Sequence, residues 1–402
     1  MSKLQELIQK LCPDGVEYKK LEDIGDFFGG LTGKSKEDFK DGNSKFITYR
    51  NVYANPSLNI DFKDKVKISD NEKQHTVIYG DILFTGSSET PDECGMSSVV
   101  TTQTSEKLYL NSFCFGLRLY KMEEFNLHYL KHILRSNDIR EQIKKTASGV
   151  TRYNVSKKRF AKICIPVPPI EVQTEIAHIL DNFTNLAAEL QAELQARQEQ
   201  YEYYRNKLLT FNELNGVGQS VTWMKMSEIC EIGTGSSNTQ DELSVGLYPF
   251  FVRSQTVRRK NEYEFDETAI ITSGDGVGVG KIFHYVEGKY ALHQRAYRLH
   301  VTHENLIPKF LFHYMRCNFY NYITQNAYTS SVTSIRKPML LNFPIPIPSL
   351  EAQRHIINIL DKFETLVSDL SQGLPAEMAA VQEQYEYYRD KLLSFPRTKI
   401  SA

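Results

Sequence analysis

The stretch QEQYEYYRNKLLTF, residues 198–211, returns as QEQYEYYRDKLLSF at residues 382–395, with 12 of 14 positions identical and only Asn/Asp and Thr/Ser exchanges. A second pair precedes it: PVPPIEVQTEIAHILDNF (166–183) and PIPSLEAQRHIINILDKF (346–363). The proline blocks are offset by 180 residues and the tyrosine blocks by 184, so the second copy has gained four residues, which alignment places at Ser371–Leu374. Each copy reads as a helix entered through a turn, because Pro168-Pro169 and Pro348 oppose helix upstream and are tolerated in a first turn. Phe183, Ala187, Leu190, Leu194, Arg197, Tyr201, Tyr204, Leu208 and Phe211 then fall at alternating steps of four and three, the seam spacing of a coiled coil, with Arg197 as a charged interruption. In the second copy the seam runs through Phe363, Val367, Leu370, Leu374 and Met378, and two successive steps of four fall around the insertion. Gly373 and Pro375 sit there, so a break or kink is expected.

The rest of the 402 residues has the composition of a soluble chain, 41% hydrophobic and 24% charged. It contains no apolar run near the ~18 residues a membrane span needs and no charged-then-apolar leader in MSKLQELIQKLCPDG, which predicts a cytoplasmic protein without membrane contact. The six cysteines are scattered, with no C-x-x-C pair and no histidine at ligand spacing, so they are expected as buried thiols and not as a zinc site. The net charge of −1 hides segregation. Residues 1–169 carry 26 Lys+Arg against 22 Asp+Glu and residues 214–347 carry 13 against 11, whereas residues 170–213 carry 3 against 8 and residues 348–402 carry 6 against 8. Positive globules alternate with negative helices.

The two globular blocks share a faint frame. VEYKKLEDI (16–24) parallels VTWMKMSEI (221–229), and YLKHILRS (129–136) parallels FLFHYMRC (310–317) as a short amphipathic helix. Between these anchors lie strand-like runs bounded by Gly, Asn and Asp, including KFITYR, TVIYGDILF, AIITS, KIFHYV and KYALHQRAYRL. The expected class is α+β: mixed α/β globules at 1–165 and 214–345, a helical region at 166–213 and a C-terminal one at 346–402, with the long helices packed as an antiparallel coiled coil about a pseudo-two-fold.

Catalytic constellations fail one by one. SGDGVGVGK (273–281) is not a P-loop, because Asp275 stands at the first glycine position and Ile282 follows Lys281. Its glycines do not fit a dinucleotide loop either, leaving a turn between strands or a backbone that approaches nucleic acid closely. Asp275 with EGK (287–289) loosely matches the D…E-x-K pattern of metal-dependent nucleases, but EGK reads as a turn between two strands. No catalytic residue and no metal ligand is assigned. Cations stand out instead: ten Lys+Arg against two Asp+Glu from His128 to Lys162, and VRSQTVRRK (252–260) with HQRAYR (293–298) in the second globule. Lysine and arginine neutralise phosphates, while Arg, Asn and Gln read base edges. In the tyrosine blocks Tyr203, Arg205, Tyr387 and Arg389 point off the seam, an aromatic-plus-arginine face of the kind that binds partner proteins.

The order globule, PPIEVQTEIAHILDNF…QEQYEYYRNKLLTF, globule, PSLEAQRHIINILDKF…QEQYEYYRDKLLSF resembles the specificity subunits of type I restriction-modification systems, over essentially the whole chain. The resemblance implies two target-recognition domains, each reading one half of a split sequence in double-stranded DNA. It also implies helices that hold the domains apart and dock two modification subunits. No cofactor is implied for this chain. S-adenosylmethionine belongs to the modification subunits, and ATP with Mg²⁺ to the restriction subunits. The helix between the domains would act as a ruler, and AELQ occurs twice in it, at Ala188–Gln191 and Ala192–Gln195. Phosphate contacts are then expected from Lys144, Lys145, Lys157, Lys158, Lys281 and Arg336. Base contacts are expected from Arg152, Tyr153 and Asn154 in the first domain, and from Arg253, Gln255, His293, Gln294 and Arg295 in the second, where Arg258 and Arg259 add to the DNA-facing charge. Three rivals stay open: a structural coiled-coil scaffold without DNA binding, a cryptic nuclease built on Asp275 and Glu287, and the same paired role in a methyltransferase–nuclease system lacking translocation.

Overall fold

A computed structural model describes residues 3–211, 221–325, 334–369 and 371–398. The expected boundary between residues 213 and 214 and the seam position Leu370 lie outside them. The chain forms two compact units, one from residues 1–190 with 378–402 and one from residues 191–377. The class is α+β, with mixed α/β globules in tandem and long helices paired antiparallel.

In the first unit, strands Gly25–Gly29, Cys114–Leu119, Ile82–Thr85 and Ser97–Val99 form an antiparallel sheet. A second sheet contains Ser44–Ile47 and Leu108–Leu110 as a parallel pair. Phe84, Phe115 and Phe160 meet at ring separations of 4.9–5.4 Å, and Val172, Ile176 and Leu180 of the central helix close the core over them. The second unit carries one six-stranded sheet, in the order Cys230–Thr234, Ala296–Val301, Phe265–Ser273, Phe283–Leu292, Tyr248–Phe251, Arg258–Lys260.

Each globule opens and closes with the same ribbon. Tyr18–Lys20 pairs with Cys164–Pro166, and Thr222–Lys225 with Pro344–Ile347, so the shared aromatics Tyr18 and Trp223 lie opposite Pro166 and Pro346. Two-stranded ribbons consist only of edges, where proline is tolerated.

EGK does not turn. Phe283–Leu292 is one strand, and Glu287, Gly288 and Lys289 keep register with Thr268, Glu267 and Asp266 of its neighbour. The left-handed φ of Gly288 (+87°) is absorbed without breaking that register. The cysteine expectation also needs correction, because Cys164 and Cys317 are only half-buried while the other four are buried.

The central helix runs unbroken from Ile170 to Leu208 and includes both AELQ repeats. Ala187, Leu190, Leu194, Arg197 and Tyr201 are each more buried than their immediate neighbours, as the seam spacing requires. The second copy is broken where the insertion falls: one helix ends at Ser368 and the next begins at Leu374. Asp369 accepts from Ser371 N–H at 2.7 Å, an Asx turn. A Cβ on Gly373 would lie 2.4 Å from the Thr365 carbonyl oxygen, so only glycine fits the closing turn. No helix among the described residues is long and apolar enough to cross a membrane.

Candidate nucleic-acid interface

The globules are seated on their helices by one repeated device. Gln173, fully buried, donates through Nε2 to the carbonyls of Pro168 (2.7 Å) and Glu124 (3.0 Å) and accepts from Asn126 N–H at 2.9 Å. Gln353, equally buried, donates to Pro348 and Asn305 (2.8 and 2.7 Å) and accepts from Ile307 N–H at 2.8 Å. These glutamines are the Q of the two E-x-Q motifs.

Eight residues further on in each copy, Asp181 and Asp361 hold buried histidines. His132 and His313 are each 1% exposed and lie 2.7 and 2.8 Å through Nε2 from those carboxylates. A carboxylate only accepts, so Nε2 carries the proton, and in the first unit Tyr385 O–H donates to the free Nδ1 of His132 at 3.0 Å. Burial lowers both histidine pKa values, and their aspartates only partly offset it. Folding therefore favours the neutral form of both rings. As pH falls below about 6.5 the unfolded chain takes up protons that the folded chain refuses, so stability is present above that value and drains away beneath it, by up to about 1.4 kcal/mol per pH unit for each histidine. The expected result is a melting temperature lower at pH 5.5 than at 7.5, with a smaller drop in the His132→Gln/His313→Gln variant. Equal drops in both proteins would contradict it.

The tyrosine blocks belong to this seating. Phe183 stacks on Tyr388 at 5.4 Å in the first unit, and Tyr204 stacks on Phe363 at 5.8 Å in the second. Asn137 donates to Asp390 at 2.5 Å, and Asn318 to the Leu209 carbonyl at 3.2 Å. Tyr203 and Tyr387 are exposed as expected, but Arg205 and Arg389 do not form an outward face with them. Their guanidinium groups fold over the rings of Tyr201 and Tyr385 at 5.6 and 5.7 Å, the Nε of Arg205 is buried, and the Arg389 side chain is 12% exposed. Cation–π attraction and burial of the arginine stems turn both inward.

On the first globule Lys145, Arg152, Lys157 and Lys158 are exposed, and none has a carboxylate at ion-pair distance among the described residues. Lys144 does not join them: it pairs with Asp92 at 2.5 Å. Arg152 lies 5.0 Å over the Phe113 ring and donates through Nε and Nη2 to the buried Ser87 hydroxyl (3.2 and 3.1 Å). Tyr153 and Asn154 lie on a short strand opposite Ser88 and Ser87. Arg152 and Phe113 line a cleft of about 550 Å³ with Tyr49, Tyr53 and Glu93.

On the second globule the loop between Ser273 and Phe283 has left-handed glycines at 276 and 280. Arg253 and Arg295 both reach Asp275 there, at 2.7 and 3.2 Å. Burial opposes ionisation of Asp275, but the two guanidinium groups outweigh it and lower its pKa. Gln255, Arg259, Lys281 and Arg336 are exposed, with Lys281 4.7 Å over the Tyr320 ring. Arg258 is engaged by Glu242. His293 is 3% exposed and accepts from Arg295 N–H through Nδ1 at 3.0 Å, so it fixes a turn and is not available to a base; Gln294 is tied to Asn238 at 2.5 Å.

The nuclease pattern is not assembled. Glu287 lies opposite Thr268, while Asp275 follows the far end of that strand, and the run from Thr268 to Ser273 alone covers roughly 16 Å. Among the described residues, only His313, Asp361 and Glu364 bring three metal-type donors within 4.8 Å. Lys309 and Arg316 already engage the two carboxylates, at 3.7 and 2.6 Å.

The fold and surface define a duplicated recognition scaffold. The type I restriction modification DNA specificity domain matches residues 13–199 and 220–380, and the chain belongs to that family. It is 33% identical over 270 residues to the EcoR124I/EcoR124II specificity subunit of Escherichia coli, covering 61% of this chain and 65% of that protein. It is 30% identical over 293 residues to a putative type I specificity subunit of Haemophilus influenzae, covering 68% and 73%. The solved specificity subunit of M. genitalium superposes with a TM-score of 0.57 at 15% identity, covering 94% of this chain and 96% of that one. The HsdS subunit of Thermoanaerobacter tengcongensis gives 0.53 at 17%, covering 95% and 97%.

Proposed function

We propose that the chain is the non-catalytic DNA-recognition subunit of a type I restriction-modification complex. Each globule binds one half of a bipartite duplex target, and the helices dock two modification subunits and, through the assembled complex, the restriction subunits. The observation that carries this reading is that each globule separately presents exposed cations without carboxylate partners among the described residues, Lys145, Lys157 and Lys158 in the first and Arg259, Lys281 and Arg336 in the second, on a chain whose helices carry the opposite sign. Lys145, Lys157, Lys158, Lys281 and Arg336 anchor phosphates; Arg152, Tyr153, Asn154, Arg253, Gln255 and Arg295 face bases. S-adenosylmethionine, ATP and Mg²⁺ are used by the partner subunits, and the complex works in the cytoplasm.

Genome-wide mapping of N6-methyladenine with and without this chain tests the reading. The expected result is one split motif that disappears when the chain is removed. A methylation pattern unchanged by its removal would reject the proposal. Phosphate anchoring also predicts binding that weakens steeply with salt, and each of Lys157→Ala and Lys281→Ala should reduce the slope of log affinity against log salt by about 1.

A further inference from the structure

Among the described residues of the second globule, Asp275 is the one carboxylate placed between two exposed guanidinium groups. Arg253 gives Nη1 to Oδ1 and Arg295 gives Nη1 to Oδ2. The backbone around the three is fixed from both sides. Gly274 N–H donates to the Arg295 carbonyl at 2.9 Å, Ile335 N–H to the Gly274 carbonyl at 2.8 Å, and Ser273 Oγ to the Asp275 carbonyl at 2.8 Å. The Arg295 N–H is held by buried His293. Among the described residues no other hydrogen bond engages either guanidinium, and none takes up its Nε/Nη2 edge.

This arrangement suits a neutral base edge better than a phosphate. A phosphate drawn to the pair would meet the Asp275 carboxylate as well, and the two positive charges are already reduced by one. A guanine presents O6 and N7, two acceptors without net charge, at the spacing of a guanidinium edge. For such a contact direction matters more than charge, and a carboxylate that immobilises two long side chains supplies direction.

We propose that Asp275 is a positioning residue that aims Arg253 and Arg295 at guanine in the half-site read by the second globule. The inference rests on the DNA-recognition reading and deepens it. Asp275 touches no base; it sets the arginines' geometry.

The test uses the full chain, with its modification subunits, and fluorescence anisotropy on duplexes carrying the split motif found by methylation mapping. One duplex is unmodified, one has 7-deazaguanine for guanine in the second half-site, and one has a scrambled second half-site. The wild type should prefer the unmodified duplex over the 7-deazaguanine duplex by about 10- to 100-fold. Asp275→Asn removes a negative charge, so it should bind the scrambled duplex as well as the wild type or better, while that preference falls by about tenfold. Asp275→Glu, which keeps the charge, should recover part of it. Calorimetric melting of each variant separates lost aim from lost folding. If Asp275→Asn keeps full discrimination, or loses affinity equally for all three duplexes, the positioning role is overturned. If the wild type does not distinguish the motif from the scrambled duplex, the recognition reading itself fails.

Discussion

Deleting Ala192–Gln195 from the central helix is expected to shorten the unread spacer of the target by about one to two base pairs and leave both half-sites unchanged. The four residues carry ~6 Å of helical rise against ~3.4 Å per base pair. They also carry ~400° of rotation, about 40° beyond a full turn, so the seam faces nearly the same way after the deletion. The segment around Leu190 and Leu194 lies in an unbroken helix with both AELQ repeats, so the cut removes length without removing a cap or turn. Removing only Leu194-Gln195 rotates the downstream seam by ~200° and should abolish modification at the genuine site. Methylation mapping reads both results. An unchanged spacer after the four-residue deletion would sink the ruler.

Replacing either clamp glutamine is expected to be among the most damaging single changes outside the apolar cores. Gln173→Leu removes three hydrogen bonds at once and leaves the Asn126 N–H and the Pro168 and Glu124 carbonyls without their side-chain partner. At about 1–3 kcal/mol for each buried group stranded this way, the loss is about 3–5 kcal/mol after partial relaxation. Gln353→Leu should cost the same in the second unit, because its three bonds repeat the first set. Gln195→Leu, on an exposed helix face, should stay within about 0.5 kcal/mol. Calorimetric unfolding of the full chain measures all three, and a clamp variant that melts like the wild type would remove the glutamine from the account of how the globule is seated.

The frame was legible because its signals are local. Steps of four and three, prolines ahead of a helix, and a glycine and a proline inside an insertion depend on neighbours in the chain, and the seam and its break at residues 369–373 follow them. What the sequence hid was long-range. EGK looks like a turn, but the strand Phe265–Ser273 supplies a continuous partner for it, and pairing overrides the glycine. The E-x-Q motif is conspicuous, yet its partners are backbone groups 46–49 residues away that no side-chain pattern marks. Arg205 and Arg389 lie off the seam by spacing, but attraction to rings on their own helices turns them inward. Among the cations, charge counting found the faces without revealing which members Asp92, Glu242 and Asp275 engage.

On the globule side, the glutamine clamp grips only main-chain atoms. Glu124 and Asn126 in one unit, and Asn305 and Ile307 in the other, share neither charge nor shape, yet they offer the same carbonyl and the same N–H. The joint works as a universal socket: a recognition module can drift or be exchanged wholesale at these positions and still plug into the same helix, provided its backbone arrives in register. New target preferences can thus be acquired without redesigning the coupling that holds the reader in place.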